Sequence, residues 1–348
     1  MTAARPMTAA EVVKHPEYPY IIWDLKPEKK GQVTVAKNRG GPINIAYEVH
    51  GHGDKHMVWI MGLGGMGYSW QRQTKDFAHT QADKYTSLVF DNRGIGESDK
   101  PCKRYTTSEM AKDTLELIDH IGWTRKRELH IVGISMGGMI AQELAWLIPD
   151  RVCTLSLVST AAGLFNTIGF IENLKNRANL FIPKPVDIQI ANLKRNLFTA
   201  DWLSEPDALA SESIKQPFPQ NGDRVTALEL TKRAHPSHFK PYAFILQAIA
   251  ANWHSKSPAQ LHELAEKVGR RRIMVVHGGK DRMITFPHGV VLWRGLEKGL
   301  GKEGWEEWGL LTEEEEREVE SREGKGDVWA KGEVEKHFFL EQGHCLPI

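Results

Sequence analysis

The chain has 348 residues, of which 41 % are hydrophobic, and its 45 Lys and Arg against 44 Asp and Glu leave a formal net charge of +1. This length suits one large α/β domain with an insertion better than two ordinary domains, and the balanced charge gives no reason to expect a nucleic acid or an anionic membrane as a partner. The three scattered cysteines, Cys102, Cys153 and Cys345, favour neither a disulfide framework nor a zinc site, and no long apolar run predicts a membrane span, so we expect a cytoplasmic protein.

Residues 1–30 are predicted to form an arm outside the main fold. Four prolines interrupt any pattern that would hold a helix or a central strand. The aromatic side chains of Tyr18, Tyr20 and Trp23 suggest that this arm docks on the remainder of the protein. Residues 32–36 and 43–50 then alternate in the manner of strands around a turn at 38–42, which predicts an antiparallel hairpin.

A buried strand is predicted at residues 57–61, and it runs into the glycine-rich loop 62–67. This loop lacks the Lys-Ser/Thr pair of a phosphate-binding P-loop and the full dinucleotide fingerprint, so nucleotide binding is a weak alternative. Gly62 instead allows the backbone N–H of Leu63 to approach an oxyanion. The remaining alternative is that the loop is only a tight turn.

Strands and helices alternate from residue 57 to residue 160. Strands are predicted at 87–91, 129–132 and 152–158, and a helix at 107–121 is predicted to be capped by Thr107 or Ser108 and ended by Gly122. This alternation is typical of a mostly parallel, doubly wound α/β sheet.

The segment Gly133-Ile134-Ser135-Met136-Gly137 lies between the strand at 129–132 and a helical pattern. A G-x-S-x-G sequence in a strand–turn–helix setting predicts a sharp turn from which the serine hydroxyl projects as a nucleophile. Gly133 and Gly137 permit neighbouring backbone to pass close to this turn. The alternative is a serine with a structural role only.

The pattern changes between residues 163 and 257, where helical segments broken by prolines and rich in aromatic residues predict a helical cap. Some of these aromatic residues are expected to line a pocket, although packing of the cap on the sheet explains any one of them equally well. The core is therefore assigned to residues 31–162 and 258–348. It contains an acidic insertion at about 297–336, whose run of glutamates predicts a solvated helix.

Two further polar residues follow predicted strands in the last part of the chain. Asp281 comes after the strand at 272–276, and His344 comes after a short strand at 337–340. The carboxyl ends of parallel strands meet at one edge of a sheet, so Asp281 is expected at the same edge as Ser135 and the Gly62 loop. The chain order Ser135, Asp281, His344 matches that of α/β-hydrolases and differs from those of trypsin-like and subtilisin-like proteases.

On these motifs, together with residues 91–99 (Asp-Asn-Arg-Gly-Ile-Gly-Glu-Ser-Asp), the chain resembles the α/β-hydrolase superfamily and its serine esterase and lactonase branch with a helical cap. The resemblance implies Ser135 as nucleophile, His344 as general base and acid, Asp281 as its orienting carboxylate, and the backbone N–H groups of Leu63 and Met136 as oxyanion hole. It implies no cofactor and no metal.

Two other histidines, His277 and His288, are weaker candidates for the base, and Asp91 and Asp99 are expected to brace turns. The chain departs from the family in having Met61 where a histidine often precedes the oxyanion loop. Only four residues follow His344, where the family closes with a helix. Because chain ends fray, we expect a mobile His344 loop or a shortened chain.

The predicted function is hydrolysis of carboxylic esters or lactones of small, largely apolar substrates. A peptidase of the proline-iminopeptidase kind is the first alternative, and it would need cap carboxylates such as Glu205 and Asp207, or Glu212, to hold an ammonium group. A ligand receptor on the same fold is the second alternative. The sequence does not distinguish an ester from a thioester, an amide or a C–C bond as the substrate.

Overall fold

A computed structural model of the chain describes residues 5–165, 185–207, 209, 216–298, 312, 313, 317 and 334–345. Within them, one sheet of eight strands has the order β1-β2-β4-β3-β5-β6-β7-β8. The strands are β1 (Lys29–Val35), β2 (Ile43–His50), β3 (Lys55–Ile60), β4 (Tyr85–Phe90), β5 (Leu129–Ile134), β6 (Val152–Val158), β7 (Ile273–Gly278) and β8 (Glu335–Phe339). β2 pairs antiparallel with β1 and β4, whereas β3 to β8 are mutually parallel.

The parallel strands are short apolar runs because helices flank them and leave little of their surface to water. Val58, Ile60, Leu88, Ile131 and Leu157 are all fully buried in the main hydrophobic core. The predicted hairpin and the six predicted strands that follow it are all present, and each agrees with the sequence pattern to within three residues at either end. The predicted mostly parallel α/β architecture is confirmed.

Ten α-helices have bounds within the described residues. They are α1 (Ala9–Val13), α2 (Gln71–Ala78), α3 (Thr107–Ile121), α4 (Met136–Leu147), α5 (Val186–Leu197), α6 (Ala200–Ser204), α7 (Asn221–Ala234), α8 (Pro241–Asn252), α9 (Pro258–Val268) and α10 (Phe286–Lys298).

Helix α3 begins and ends where the sequence predicted, but its N-cap is a different residue. The side chain of Thr106 accepts a hydrogen bond from the N–H of Glu109, so the expectation of Thr107 or Ser108 was wrong by one or two positions. All three are hydroxyl residues that can cap a helix, and the backbone chooses the one that still has extended φ and ψ. At the other end, Gly122 has φ +94° and ends the helix as predicted.

The arm at the start of the chain contains a short helix, which the sequence analysis did not predict. In α1, Thr8 and Glu11 form a reciprocal capping box, which offsets the cost of so short a helix. Val12 and Ile21 are buried in a separate apolar cluster with Phe218 and Ala227. The arm therefore docks on α7, in agreement with the docking that its aromatic residues suggested.

Helices α5 to α8 occupy the described part of the predicted cap. The aromatic residues there divide between several environments: Phe198 stacks on Trp202, Phe218 packs on the arm, and Trp253 is 62 % exposed beside Arg104. Both interpretations thus apply to particular rings, because Phe218 packs within the protein whereas Phe198 also lines a cavity. Phe170, Phe181 and Glu212, together with nearly all of the acidic insertion at 297–336, lie outside the described residues.

No helix in the described ranges is long and apolar enough to cross a membrane.

Candidate active site

Ser135 lies in the sharp turn between β5 and α4 that the G-x-S-x-G sequence predicted. Its backbone has φ +56° and ψ −125°, a conformation that residues with a side chain rarely adopt. Two hydrogen bonds hold this strained backbone, from the Ser135 N–H to the Val158 carbonyl at 2.9 Å and from Thr160 Oγ1 to the Ser135 carbonyl at 2.7 Å. The neighbouring strand end therefore stabilises the turn, and the Ser135 side chain remains partly exposed.

Close backbone packing explains the glycines of this turn. A Cβ atom on Gly137 would lie 2.1 Å from the carbonyl oxygen of Ile60, and one on Gly133 would lie 2.3 Å from the carbonyl oxygen of Gly137. Both contacts are with backbone, which cannot move aside as a flexible side chain can. The start of α4 consequently packs directly on the end of β3, beside the Gly62 loop.

The Gly62 loop borders Ser135. A Cβ atom on Gly62 would lie 3.0 Å from Ser135 Cβ and 3.5 Å from Ser135 Oγ. Among the described residues, no hydrogen bond uses the backbone N–H of Leu63 or Met136. Met136 is the first residue of α4, so its N–H has no acceptor within the helix and lies at the positive end of the helix dipole. Both predicted oxyanion donors are thus available.

Asp281 follows β7 and is 4 % exposed. Its Oδ1 atom accepts hydrogen bonds from the N–H groups of Met283 and Ile284 at 2.7 and 2.9 Å. Its Oδ2 atom lies 2.7 Å from His344 Nδ1 and 3.4 Å from His277 Nε2. Burial acts to raise the pKa of Asp281, but the two imidazoles lower it more strongly, so the pKa lies well below its usual range. The carboxylate is therefore ionised at neutral pH and accepts from His344.

His344 is 4 % exposed although it is close to the end of the chain. The loop that carries it is bonded on both sides, from the Lys280 N–H to the Gln342 carbonyl at 2.8 Å and from the Cys345 N–H to the Leu197 carbonyl at 2.9 Å. The second bond joins the loop to the end of α5, in the predicted cap. Ser135 and His344 are both described, and no hydrogen bond joins them. Serine–base distances are often long without substrate and shorten when the reacting complex forms.

The two weaker histidine candidates have other partners. His277 is fully buried and its Nε2 atom lies 2.7 Å from the Ile284 carbonyl. His288 lies on α10, where its Nε2 atom accepts the Phe165 N–H at 3.2 Å. His277 therefore supports the Asp281 loop and His288 anchors the start of the predicted cap. The carboxylates of Asp91 and Asp99 each accept backbone N–H groups at 2.7 to 2.8 Å, and so they brace turns as predicted.

His288 should make the stability of the fold depend on pH. Burial lowers its pKa to about 4, whereas an unfolded histidine titrates near 6.5. Between these values the unfolded chain binds a proton that the folded chain does not, so the free energy of unfolding falls as the pH falls, by up to about 1.4 kcal/mol per pH unit. We expect His288→Gln to reduce this slope in urea unfolding at pH 7, 6 and 5, and the exposed His52→Gln to leave it unchanged. Equal slopes for wild type and His288→Gln would contradict the assignment.

Two residues of this region were not identified in the sequence analysis. Gln247 is fully buried on α8 and bonds to the Gly64 N–H of the Gly62 loop at 2.9 Å. Asn92 donates from Nδ2 to the carbonyl of Met61, the residue just before this loop, at 2.9 Å. The only local signal for Gln247 is that it is the one strongly polar residue within the run 242–251.

A cavity of about 530 Å³ lies between the arm, strands β2 and β4 and the end of α7, and another of about 310 Å³ lies between the arm and helices α5 to α7. Neither cavity is lined by Ser135 or His344. No group of three or more His, Cys, Asp or Glu side chains in the described ranges is arranged to hold a metal ion.

Comparison with known proteins gives matches along most of the chain. A family model described as the alpha/beta hydrolase fold matches residues 55–313. The chain is 39 % identical over 123 residues to a protein named non-heme bromoperoxidase BpoC from Mycobacterium tuberculosis, covering 35 % of this chain and 44 % of that one. It is 31 % identical over 139 residues to 3-oxoadipate enol-lactonase 2 from Acinetobacter baylyi, covering 40 % and 48 %. The chain thus spans about half the length of these two curated relatives.

A solved structure, that of a thermophilic esterase from Thermogutta terrifontis, superposes with a TM-score of 0.61 at 18 % identity and covers 91 % of each chain. At this identity the likeness concerns the fold.

Proposed function

The chain belongs to the α/β-hydrolase fold family, and from this premise we propose that it is a serine hydrolase that cleaves carboxylic esters or lactones of small, largely apolar substrates. One observation carries the proposal. The ionised, buried Asp281 is bonded to His344 Nδ1, at the same sheet edge as the strained turn that presents Ser135. The names of the enol-lactonase relative and of the esterase with the same fold support the choice of substrate class.

In the proposed reaction, Ser135 Oγ attacks the substrate carbonyl and transfers its proton to His344 Nε2. Asp281 keeps the other imidazole nitrogen protonated and stabilises the imidazolium. The N–H groups of Leu63 and Met136 donate to the oxyanion of the tetrahedral intermediate. The imidazolium then protonates the leaving alkoxide, which departs and leaves an acyl group on Ser135.

The second half of the reaction repeats these roles with water. His344 accepts a proton from a water molecule as the water attacks the acyl carbon, and it then protonates Ser135 Oγ as the acid is released. The side chains of this site supply every proton transfer, so the proposed mechanism uses no cofactor.

Asp207 does not fit the role that the peptidase alternative gives it, whereas Glu205 is exposed and Glu212 lies outside the described residues. Both carboxylate oxygens of Asp207 lie 2.8 Å from Arg224 Nε, and this pair is buried. A carboxylate neutralised by a buried arginine is poorly suited to bind a substrate ammonium group.

The proposal is tested with p-nitrophenyl esters of increasing acyl length, with a simple γ-lactone, and with a fluorophosphonate probe. We expect turnover of the short and medium esters, and one covalent label on the peptide that contains Ser135. The ratio of ester to lactone turnover then identifies the preferred substrate class. Failure to hydrolyse any of these substrates, together with absence of the label from Ser135, would refute the proposal.

A further inference from the structure

The loop that carries the Leu63 N–H is a tight turn in which one peptide can adopt two orientations. The Gly65 N–H donates to the Gly62 carbonyl at 3.2 Å, and Gly64 has φ +66° while Leu63 has no positive φ. A positive φ at the third position alone is the mark of a type II turn, which has an alternative, type I, in which the central peptide is rotated by about 180°. That central peptide joins Leu63 to Gly64. Rotation of this peptide would move the Leu63 carbonyl and the Gly64 N–H, so a contact to the Gly64 N–H holds the turn in the type II form.

Gln247 makes that contact from α8. Its Oε1 atom accepts the Gly64 N–H at 2.9 Å, and its Nε2 atom donates to the Arg93 carbonyl at 2.8 Å. The side chain is fully buried, so neither backbone group can exchange this partner for water without opening the packing around α8. If the central peptide rotated, the Gly64 N–H would point away from Gln247. The Gly64 N–H and Gln247 Oε1 would then both lose the hydrogen bond between them.

The other end of the link is itself rigid. The guanidinium group of Arg93 is 5 % exposed and donates to both carboxylate oxygens of the buried Asp113, with a distance of 2.7 Å from Nη2. The Arg93 backbone is consequently fixed to α3. Gln247 therefore joins the Gly62 loop to Arg93, whose position is fixed by Asp113.

The aromatic ring of Phe244, also on α8, packs against the turn at Gly64. A Cβ atom on Gly64 would lie 3.0 Å from two ring carbons of Phe244, which precedes Gln247 by about one helical turn. Any larger residue at position 64 would thus meet Phe244 as well as the strain of a positive φ. Helix α8 contacts the turn through one hydrogen bond and one aromatic face.

We infer that Gln247 is a positioning residue for the oxyanion hole: by accepting the Gly64 N–H it fixes the residue next to Leu63, and so holds in place the turn whose first peptide, Gly62–Leu63, carries the Leu63 N–H. The position of this donor beside Ser135 then depends on the packing of α8. This inference rests on the proposed function. An oxyanion donor contributes only when it is preorganised at its site. Loss of the link should therefore lower the rate of the chemical step and leave ground-state binding nearly unchanged.

The test is Gln247→Met, which keeps the length of the side chain and removes both hydrogen bonds. The matched control is Gln71→Met. Gln71 makes the same pair of bonds elsewhere, accepting the Trp23 N–H at 2.9 Å and donating to the Ile21 carbonyl at 3.0 Å, and so holds the arm. We expect Gln247→Met to lower kcat for p-nitrophenyl esters about 10- to 100-fold with KM changed less than about threefold, and Gln71→Met to leave kcat unchanged.

Two ketones separate positioning from a general loss of structure. A trifluoromethyl ketone forms an oxyanionic adduct with the serine, whereas the methyl ketone of the same chain length binds as a ground-state analogue. Affinity for the first should fall in Gln247→Met by about the same factor as kcat, and affinity for the second should not change. Equal losses for both ketones, or kcat equal to that of the control, would overturn the inference.

Amide hydrogen exchange tests the link without any turnover, and in the wild-type protein. The Gly64 N–H should be protected although it lies in a loop, and Gln247→Met should remove that protection. Exchange of the wild-type Gly64 amide at the rate of a free amide would overturn the inference even if Gln247→Met did not fold. If the wild type shows protection but Ser135-dependent turnover is absent, the proposed function fails and the catalytic consequence falls with it, whereas the Gln247 link itself stands.

Discussion

Replacement of Ser135 by alanine is expected to lower kcat at least about 10⁴-fold and to abolish fluorophosphonate labelling, because the oxyanion hole alone gives only a small part of the acceleration in enzymes of this kind. Alanine can be accommodated at this position with little change in packing, since Ser135 Oγ makes no hydrogen bond among the described residues. The measurement is single-turnover and steady-state hydrolysis of the best p-nitrophenyl ester, with thermal unfolding of both proteins as a check on folding.

Ser159 offers a matched control for this experiment. It follows β6 as Ser135 follows β5, it has φ +44°, and its N–H donates to the neighbouring strand at Val276 as that of Ser135 does at Val158. Its hydroxyl is buried and has no hydrogen-bond partner in the part of the chain that the structure describes. Ser159→Ala should therefore retain kcat within about threefold, because only a serine hydroxyl that reaches the base can act as nucleophile. Comparable losses in the two variants would mean that Ser135 acts through structure and would refute its assignment.

The second large effect is expected at His344. His344→Gln should lower kcat about 10⁴-fold or more, whereas His277→Gln should lower it by no more than about tenfold, because a base removed from a serine triad costs nearly as much as the nucleophile itself. The two histidines are a natural pair for comparison, since both lie within 3.4 Å of the same oxygen of Asp281. They differ in their second contacts, because His277 Nε2 already bonds to the Ile284 carbonyl.

The pH profiles of the variants add a second readout. A variant that lacks only a side chain that supports Asp281 should keep the acidic limb of the kcat/KM profile, since the base would still be present. Loss of that limb in His344→Gln, and its retention in His277→Gln, are the expected results. If His277→Gln instead were the variant that lost both kcat and the acidic limb, the base would be His277 and the proposed triad would be wrong.

The strained turn at Ser135 is held by residues from the neighbouring strand ends. Gly137 leaves room for the end of β3, and Thr160 holds the strained Ser135 backbone, so the site depends on the packing of three neighbouring strand ends. Residues held in rarely populated backbone conformations persist only where the surrounding structure determines them. We therefore regard the strand ends of β3, β5 and β6 as one unit that supports the proposed nucleophile.

Local patterns in the sequence were sufficient to predict the strands, the helix α3, the turn at Ser135 and the positions of Asp281 and His344 after their strands. Periodicity and glycine placement report on the backbone within a few residues, and the ends of parallel strands meet at one edge of the sheet by geometry. The arm helix α1 escaped prediction because its five residues are too few for a periodic signal. The N-cap of α3 was misplaced because several adjacent hydroxyl residues satisfy the same pattern.

The sequence by itself determined the fold, the strained serine and the order of the three proposed catalytic residues. Only the tertiary structure decided which histidine lies 2.7 Å from Asp281, that Asp207 is neutralised by Arg224, and that Gln247 holds the Gly62 loop. These contacts lie within the predicted cap, between the cap and the Gly62 loop, and at the sheet edge, and they join residues as many as 183 positions apart in the chain. No local pattern carries such information, because a buried amide or carboxylate finds its partner only after the apolar faces of the helices and the sheet have packed.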